Sequence, residues 1–127
     1  MKKRVSTTAV RATLFRGLGD ASRLSILEAL LDGPRCVTEV IAATGLSQPS
    51  VSGHLACLRD CGLVERDARG RFAYYSLAGP HVQHIIACAD AVLGVVGNQL
   101  EQCPRYGDEQ TTVSRLPERV LVKVKGR

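Results

Sequence analysis

A glycine-containing turn between two short helical segments constrains the fold of this chain more than any other feature. Gly45-Leu46-Ser47 follows a helix predicted at residues 37–44 and precedes one predicted at residues 47–61. Glycine suits the left-handed position after a helix, and Ser47 is a good N-cap for the next one. Pro49 is tolerated in the first turn, because its missing N–H would have no helical partner there. Two short helices joined in this way form a helix-turn-helix.

The second helix of this motif has two distinct sets of side chains. Val51, Leu55 and Leu58 recur at helical spacing and are expected to face the core. A second set lies on a neighbouring side, within roughly 40° of its first member on a helical wheel. This set consists of Ser50, His54, Cys57 and Cys61. If the Ser50 side touches a ligand, the cysteine pair lies further along the same side.

Two more helices are expected before this motif. Residues 1–7 are predicted to be flexible, and the first helix to cover residues 8–18. Asp20 or Ser22 can cap the second helix, and Asp32-Gly33-Pro34 ends it. Aromatic residues make up 4% of the chain and Trp is absent, so the core is expected to be aliphatic.

The sequence period changes after the helix-turn-helix. Residues 63–66 and 72–77 have the pattern of two short strands, and residues 67–71 form the turn between them. Arg69 and Arg71 lie in this turn. A β-hairpin at this point corresponds to the wing of a winged helix.

A long apolar helix is predicted at residues 81–100, opened by Gly79-Pro80. Its wide apolar stripe is interrupted between residues 78 and 100 by one formal charge, Asp90. Such a helix is expected to pack against a second copy of the chain. Cys88 lies on the stripe and is expected to be in the core. A membrane segment is the weaker alternative, because Asp90 and the flanking histidines interrupt too short a run.

These elements predict a mainly α protein with a β-hairpin wing. The fold class is a winged helix-turn-helix that is homodimeric through its terminal helices. With 127 residues the chain suits one domain, placed at residues 8–100 and responsible for DNA binding and dimerisation. Residues 101–127 are predicted to form a C-terminal segment and flexible tail.

A nucleic acid is the expected partner. The formal net charge of +5 favours a polyanion. In a helix-turn-helix the second helix enters the major groove and presents its N-terminal residues to the bases. The candidates here are Gln48, Ser50, Ser52 and His54. Arg69 and Arg71 on the wing can contact phosphate or the minor groove. Two symmetric copies would require an inverted-repeat operator. A protein-binding winged helix is the alternative.

The cysteines point to metal or redox chemistry. There are five, an odd number: Cys36, Cys57, Cys61, Cys88 and Cys103. The N-terminus lacks the apolar region of a signal peptide, so a cytoplasmic, reducing location is expected. There, clustered cysteines more often bind metal or react with oxidants than form structural disulfides. An enzyme is not expected, because the sequence has no recognisable nucleophile–base pair, phosphate loop or carboxylate pair.

The central part of the chain resembles a known family. The segment LSQPSVSGHLACLRDCGLV, followed by GR-x-x-Y-Y, is similar to the ArsR/SmtB family of metalloregulatory repressors. The resemblance covers about residues 8–97. It implies a dimeric winged-helix protein that represses a metal-export or detoxification operon and leaves its operator when metal binds.

The resemblance also bears on the metal ligands. One subgroup of the family has a Cys-x-Cys pair where this chain has only Cys36, and another has a zinc site between the last helices of which only His81 remains. Cys57, Cys61 and Cys103 resemble the ligands of the subgroup that senses cadmium and lead. The resemblance implies that Cys103 is supplied by the other protomer.

The chemistry of the cysteine pair is consistent with a soft metal. Residues four apart on a helix have Cβ atoms about 5–6 Å apart, and one favourable rotamer each brings two thiolates to a common ion. Three thiolates favour thiophilic ions, with Cd(II) or Pb(II) as the first choice for the sensed effector. No catalytic cofactor is expected. An As(III)-responsive or a thiol-redox-responsive repressor on the same scaffold is the alternative, and a DNA-binding protein without an effector is a further one.

Overall fold

The structure is a computed structural model of the chain. It describes residues 6–103, and of residues 97, 98, 100 and 101 it describes the backbone only. Within this part, five helices and three strands follow one another along the chain. They are α1 (Thr7–Leu18), α2 (Ala21–Ala29), β1 (Arg35–Cys36), α3 (Val37–Thr44), α4 (Gln48–Asp60), β2 (Val64–Arg69), β3 (Phe72–Leu77) and α5 (Pro80–Glu101). The predicted winged helix-turn-helix is confirmed. The tail predicted at residues 104–127 lies outside the described residues. So do residues 1–5 of the N-terminal segment that is predicted to be flexible.

The described residues fall into two compact units, one that ends at Pro80 and a second that begins at His81. The core of the first unit is aliphatic, as the composition predicts. Its buried side chains are Leu18, Ile26, Leu27, Leu30, Val40, Val51, Leu55, Leu58 and Val64. Burying each such side chain contributes about 1.5–3 kcal/mol. Three of them lie on one face of α4, so the packing that forms the core also fixes the orientation of this helix.

The turn between α3 and α4 has the two caps that the sequence predicts. Gly45 ends α3 with φ of 74°, in the left-handed region, and its N–H donates to the Ile41 carbonyl. The Ser47 hydroxyl accepts a hydrogen bond from the Ser50 N–H at 3.3 Å. These two caps end one helix and begin the next within three residues.

The sheet contains one strand that the sequence does not reveal. Its order is β1-β3-β2, and both pairings are antiparallel. The hairpin of β2 and β3 turns at Gly70, which has φ of 60°. The added strand pairs Arg35 with Tyr75 and Cys36 with Tyr74. Two residues are too few to show an alternating pattern, which is why β1 is missed.

Helix α5, in the second unit, has an exposed apolar surface. Val92, Val95 and Val96 are 57%, 62% and 40% exposed. Cys88 is also exposed, so its predicted burial is wrong for the single chain. Among the described residues, no helix is both long enough and apolar enough to cross a membrane.

Candidate nucleic-acid interface and thiol site

The predicted base-contacting residues lie at the start of α4, but they are not equally accessible. Gln48 and Ser52 are exposed, whereas Ser50 and His54 are half-buried at the border of the core. Ser50 also supplies the backbone N–H that Ser47 caps. Ser52 and Gln48 are therefore the two of the four that project most freely from the helix.

The outward side of α4 is lined by small residues, of which Gly53 and Ala56 are not among the residues predicted to contact bases. Ser52, Gly53 and Ala56 are all exposed. A Cβ atom built on Gly53 would meet nothing within 4 Å, so packing within the chain gives no reason for glycine. Glycine inside a helix costs about 1 kcal/mol relative to alanine. A glycine in the middle of a predicted helix is the sequence feature that could have identified this surface.

The two arginines of the wing are in different situations. The Arg69 Nε donates a hydrogen bond to the Asp67 Oδ2 at 2.8 Å. Its guanidinium carbon also lies 5.5 Å from the centre of the Tyr74 ring. Arg71 is exposed in the turn. Asp67 therefore partly neutralises the charge of Arg69. The two side chains are 63% (Arg69) and 65% (Asp67) exposed, so water screens this ion pair.

Cys57 and Cys61 form a pair of exposed thiols at the other end of α4. Cys61 is the residue that ends the helix, and its N–H donates to the Cys57 carbonyl at 3.0 Å. The surrounding protein atoms displace some of the water around the Cys61 thiol and so raise its pKa. The neighbouring Cys57 thiol raises the pKa of Cys61 further. Because Cys57 and Cys61 lie one helical turn apart on α4, a single soft ion can reach both sulfurs.

Two charged residues at the start of α2, Asp20 and Arg23, interact with each other and with residues of α4. Asp20 caps α2 by accepting a hydrogen bond from the Arg23 N–H at 2.9 Å. This bond is the main reason why the pKa of Asp20 lies below its usual value, and the charges of Arg23 and His54 lower it further. The Arg23 charge also acts on Cys61, where it opposes the rise in pKa. Arg23 is not predicted from the sequence, because no local pattern indicates how α2 packs against α4.

The third predicted thiol belongs to the second unit. Cys103 follows α5 and is half-buried. In the part of the single chain that the structure describes, no group of three or more His, Cys, Asp or Glu side chains is arranged to hold a metal ion. Of the three predicted ligands, the structure thus brings together Cys57 and Cys61, whereas Cys103 belongs to the other unit.

Comparison with known proteins places the motif in a family. Residues 20–66 match the sequence model of the bacterial regulatory proteins of the arsR family. A probable mercury resistance operon repressor from Streptomyces lividans is 37% identical over 98 residues, which cover 77% of this chain and 78% of that protein. The transcriptional regulator CmtR from Mycobacterium tuberculosis is 46% identical over 71 residues, which cover 56% of this chain and 60% of CmtR.

Solved structures agree with this assignment. The NMR structure of the cadmium metal-sensor CmtR from M. tuberculosis is similar with a TM-score of 0.53 and 43% identity, covering 60% of this chain and 79% of that one. The homodimeric winged helix-turn-helix DNA-binding domain of a possible ArsR-family regulator from Mycobacterium bovis has a TM-score of 0.60 and 31% identity, covering 72% and 89%. This chain belongs to the ArsR family of bacterial regulatory proteins.

Proposed function

We propose that this protein is a homodimeric transcriptional repressor that binds an inverted-repeat operator and is released when a thiophilic metal ion binds to cysteine thiolates. The observation that carries the proposal is the position of the exposed Cys57 and Cys61 thiols on α4. The start of the same helix is the part that a helix-turn-helix presents to DNA. Metal binding at one end can therefore change how the other end meets the operator.

DNA recognition is assigned to the start of α4 and to the wing. Gln48 and Ser52 reach base edges, and Gln can pair with adenine through two hydrogen bonds. Ser50 and His54, which are half-buried, contribute at the edge of the same surface. On the wing, Arg71 contacts the DNA backbone or the minor groove, and Arg69 joins it when it leaves Asp67.

Dimerisation is assigned to the helices at the two ends of residues 8–100. The exposed apolar side chains of α5, among them Val92 and Val95, support a second copy as the covering partner. In α1, Val10 and Phe15 are 55% and 60% exposed and are further apolar side chains that a second copy can cover. The homodimeric relative from M. bovis supports the same assembly.

The metal site is assigned to Cys57, Cys61 and Cys103, with Cys103 supplied by the partner protomer. A site shared between protomers is compatible with the single chain, because its described residues contain no group of three or more potential ligands arranged to hold a metal ion. Thiolate ligands select soft ions, so Cd(II) and Pb(II) are the proposed effectors. The cadmium-sensing relative CmtR supports this choice.

Metal titration of the reduced protein tests this assignment. Addition of Cd(II) should produce a thiolate-to-metal charge-transfer absorbance that saturates at one ion per protomer. Cys57→Ser and Cys61→Ser should each lose most of it, whereas Cys88→Ser should retain it. Mixing Cys57→Ser/Cys61→Ser subunits with Cys103→Ser subunits should restore one site per mixed dimer. A full absorbance band in Cys57→Ser/Cys61→Ser alone would contradict the site.

A thiol-redox function is the second candidate. The exposure of the neighbouring Cys57 and Cys61 thiols favours it, because exposed thiols are open to oxidation. Peroxide and Cd(II) would be compared in the same operator-binding assay. Release by peroxide that dithiothreitol reverses, with no response to Cd(II), would support redox sensing in place of metal sensing.

A further inference from the structure

Phe72 is an exposed aromatic residue at the tip of the wing, and the proposed function gives it no role. It is 56% exposed, although phenylalanine is among the residue types most often buried in proteins. Gly70 and Arg71 form the turn of the hairpin, and Phe72 pairs with Arg69 as the last pair before this turn. Phe72 therefore lies at the end of the hairpin opposite to the buried Val64.

The Phe72 ring projects from the outward face of the wing. Side chains alternate between the two faces along a strand, and paired residues of neighbouring strands share a face. Val64 is buried, so Asp67 and Arg69 lie on the opposite, outward face. Their partners Tyr74 and Phe72 lie on the same face. The Arg69 guanidinium is directed away from the tip, because it donates to the Asp67 Oδ2 at 2.8 Å and lies 5.5 Å from the centre of the Tyr74 ring.

The charges around Phe72 favour DNA as the partner that covers this ring. Arg71 directly precedes Phe72 and is exposed. Arg69 and Arg71 together outweigh the charge of Asp67, so the tip of the wing carries a net positive charge. Proteins that bind the minor groove combine arginines with an apolar side chain, such as phenylalanine, that enters between base pairs. An apolar protein surface suits this tip less well, because it would remove water from the arginines.

We propose that Phe72 is a specificity-determining residue of the wing, whose ring enters the minor groove beside each half-site and favours a base step that is easily unstacked. The inference rests on the proposed binding of an inverted-repeat operator by a dimer. Pyrimidine–purine steps such as TA and CA unstack most readily, whereas A-tracts are stiff. Phe72 thus reads the deformability of the DNA without a hydrogen bond to any base, and the arginines beside it contact the phosphates.

Selection from a random-sequence DNA pool by the full-length protein provides the operator and tests the inference. The wild-type protein should enrich an inverted repeat with a TA or CA step at a fixed distance from each half-site. Phe72→Ala should enrich the same half-sites without a preference at that step. Phe72→Leu should keep the preference, because leucine is also an apolar wedge. Enrichment of the same flanking step by Phe72→Ala, or of no flanking step by the wild type, would overturn the inference.

Affinities for the selected DNA separate an apolar contact from a phosphate contact. Phe72→Ala should weaken binding about tenfold without a change in its salt dependence, because no charge is removed. Arg71→Ala should instead make the salt dependence shallower by about one unit. Replacing the flanking TA step by AA should weaken wild-type binding and leave Phe72→Ala unaffected. A 2-aminopurine base at this step should brighten when the wild type or Phe72→Leu binds, but not when Phe72→Ala binds.

Urea unfolding and sedimentation of the free protein serve as controls for folding and dimerisation. Unchanged DNA affinity in Phe72→Ala, or equal losses on TA and AA steps, would overturn the inference. A weaker dimer in Phe72→Ala would overturn it too, because the ring would then contact a second copy. If Phe72→Ala fails to fold, equal wild-type affinity for the TA and AA steps would still refute the inference. If the wild type enriches no inverted repeat, the proposed operator binding itself is rejected.

Discussion

Gly53 offers a test in which stability and DNA binding should change in opposite directions. Gly53 is exposed in the middle of α4, and a Cβ atom at this position would meet nothing within 4 Å. Gly53→Ala therefore adds a methyl group without a clash inside the chain. Because alanine is favoured over glycine in a helix interior by about 0.8–1.0 kcal/mol, the free energy of unfolding should rise by roughly that amount. The free energy of unfolding is expected to rise and not fall, because the space around the added methyl group is empty.

Operator binding should become weaker in the same variant. If the small side of α4 approaches DNA closely, the added methyl group occupies space that the operator needs. An extra methyl in a closely packed contact costs typically about 1–3 kcal/mol, which corresponds to a loss of roughly 5- to 150-fold in affinity. A variant that is more stable but binds DNA less well cannot be explained by misfolding.

The assay compares Gly53→Ala with Gly17→Ala. Gly17, in the last turn of α1, also has open space around its Cβ position and a φ outside the left-handed region. Urea unfolding at a fixed protomer concentration would give the free energies, and fluorescence anisotropy with operator DNA would give the affinities. Gly17→Ala should leave DNA affinity unchanged. Unchanged affinity in Gly53→Ala as well would refute the close approach, and a loss of stability would refute the assignment of open space.

Four further substitutions test separate parts of the structure. Leu55→Ala removes a side chain with 0% exposure and should lower the free energy of unfolding by about 2–5 kcal/mol in urea unfolding, with a smaller loss contradicting its central place in the core. Asp67→Ala frees Arg69 and should increase operator affinity, with a dependence on salt steeper by about one unit, whereas Arg71→Ala should do the reverse. The pKa of Asp20 lies below its usual value of 3.8, so its stabilising effect is complete above that pH and is lost as the pH falls through the lower, folded-state pKa. Asp20→Asn should therefore flatten the fall in stability in this acid range, as followed by circular dichroism.

Local signals made the helix-turn-helix predictable from sequence. The helix at residues 37–44 and the caps Gly45 and Ser47 are confirmed, because each depends on residues within one turn of the chain. The hairpin is confirmed as well, although its first strand extends to Arg69 and so shortens the turn. The two-residue strand β1 was not predictable, because it exists only through pairing with a strand almost forty residues later.

The surroundings of the candidate site were less predictable than its residues. The spacing of Cys57 and Cys61 is local, and the structure places both thiols on the surface, one helical turn apart. The effect of the Arg23 charge on Cys61 depends on how α2 packs against α4. The spacing of side chains along either helix does not predict this packing. The half-burial of Ser50 and His54 has the same origin, because it depends on how deeply α4 sits in the core.

Operator affinity measured with and without Cd(II), in the wild-type protein and in Cys57→Ser, is the most direct test of metal sensing by α4. We expect Cd(II) to weaken operator binding by the wild-type protein about 5- to 150-fold, which corresponds to a coupling free energy of about 1–3 kcal/mol. Cys57→Ser should bind the operator as the wild type does without metal, and Cd(II) should leave its affinity unchanged. An equal response to Cd(II) in both proteins, or no response in the wild type, would contradict the account.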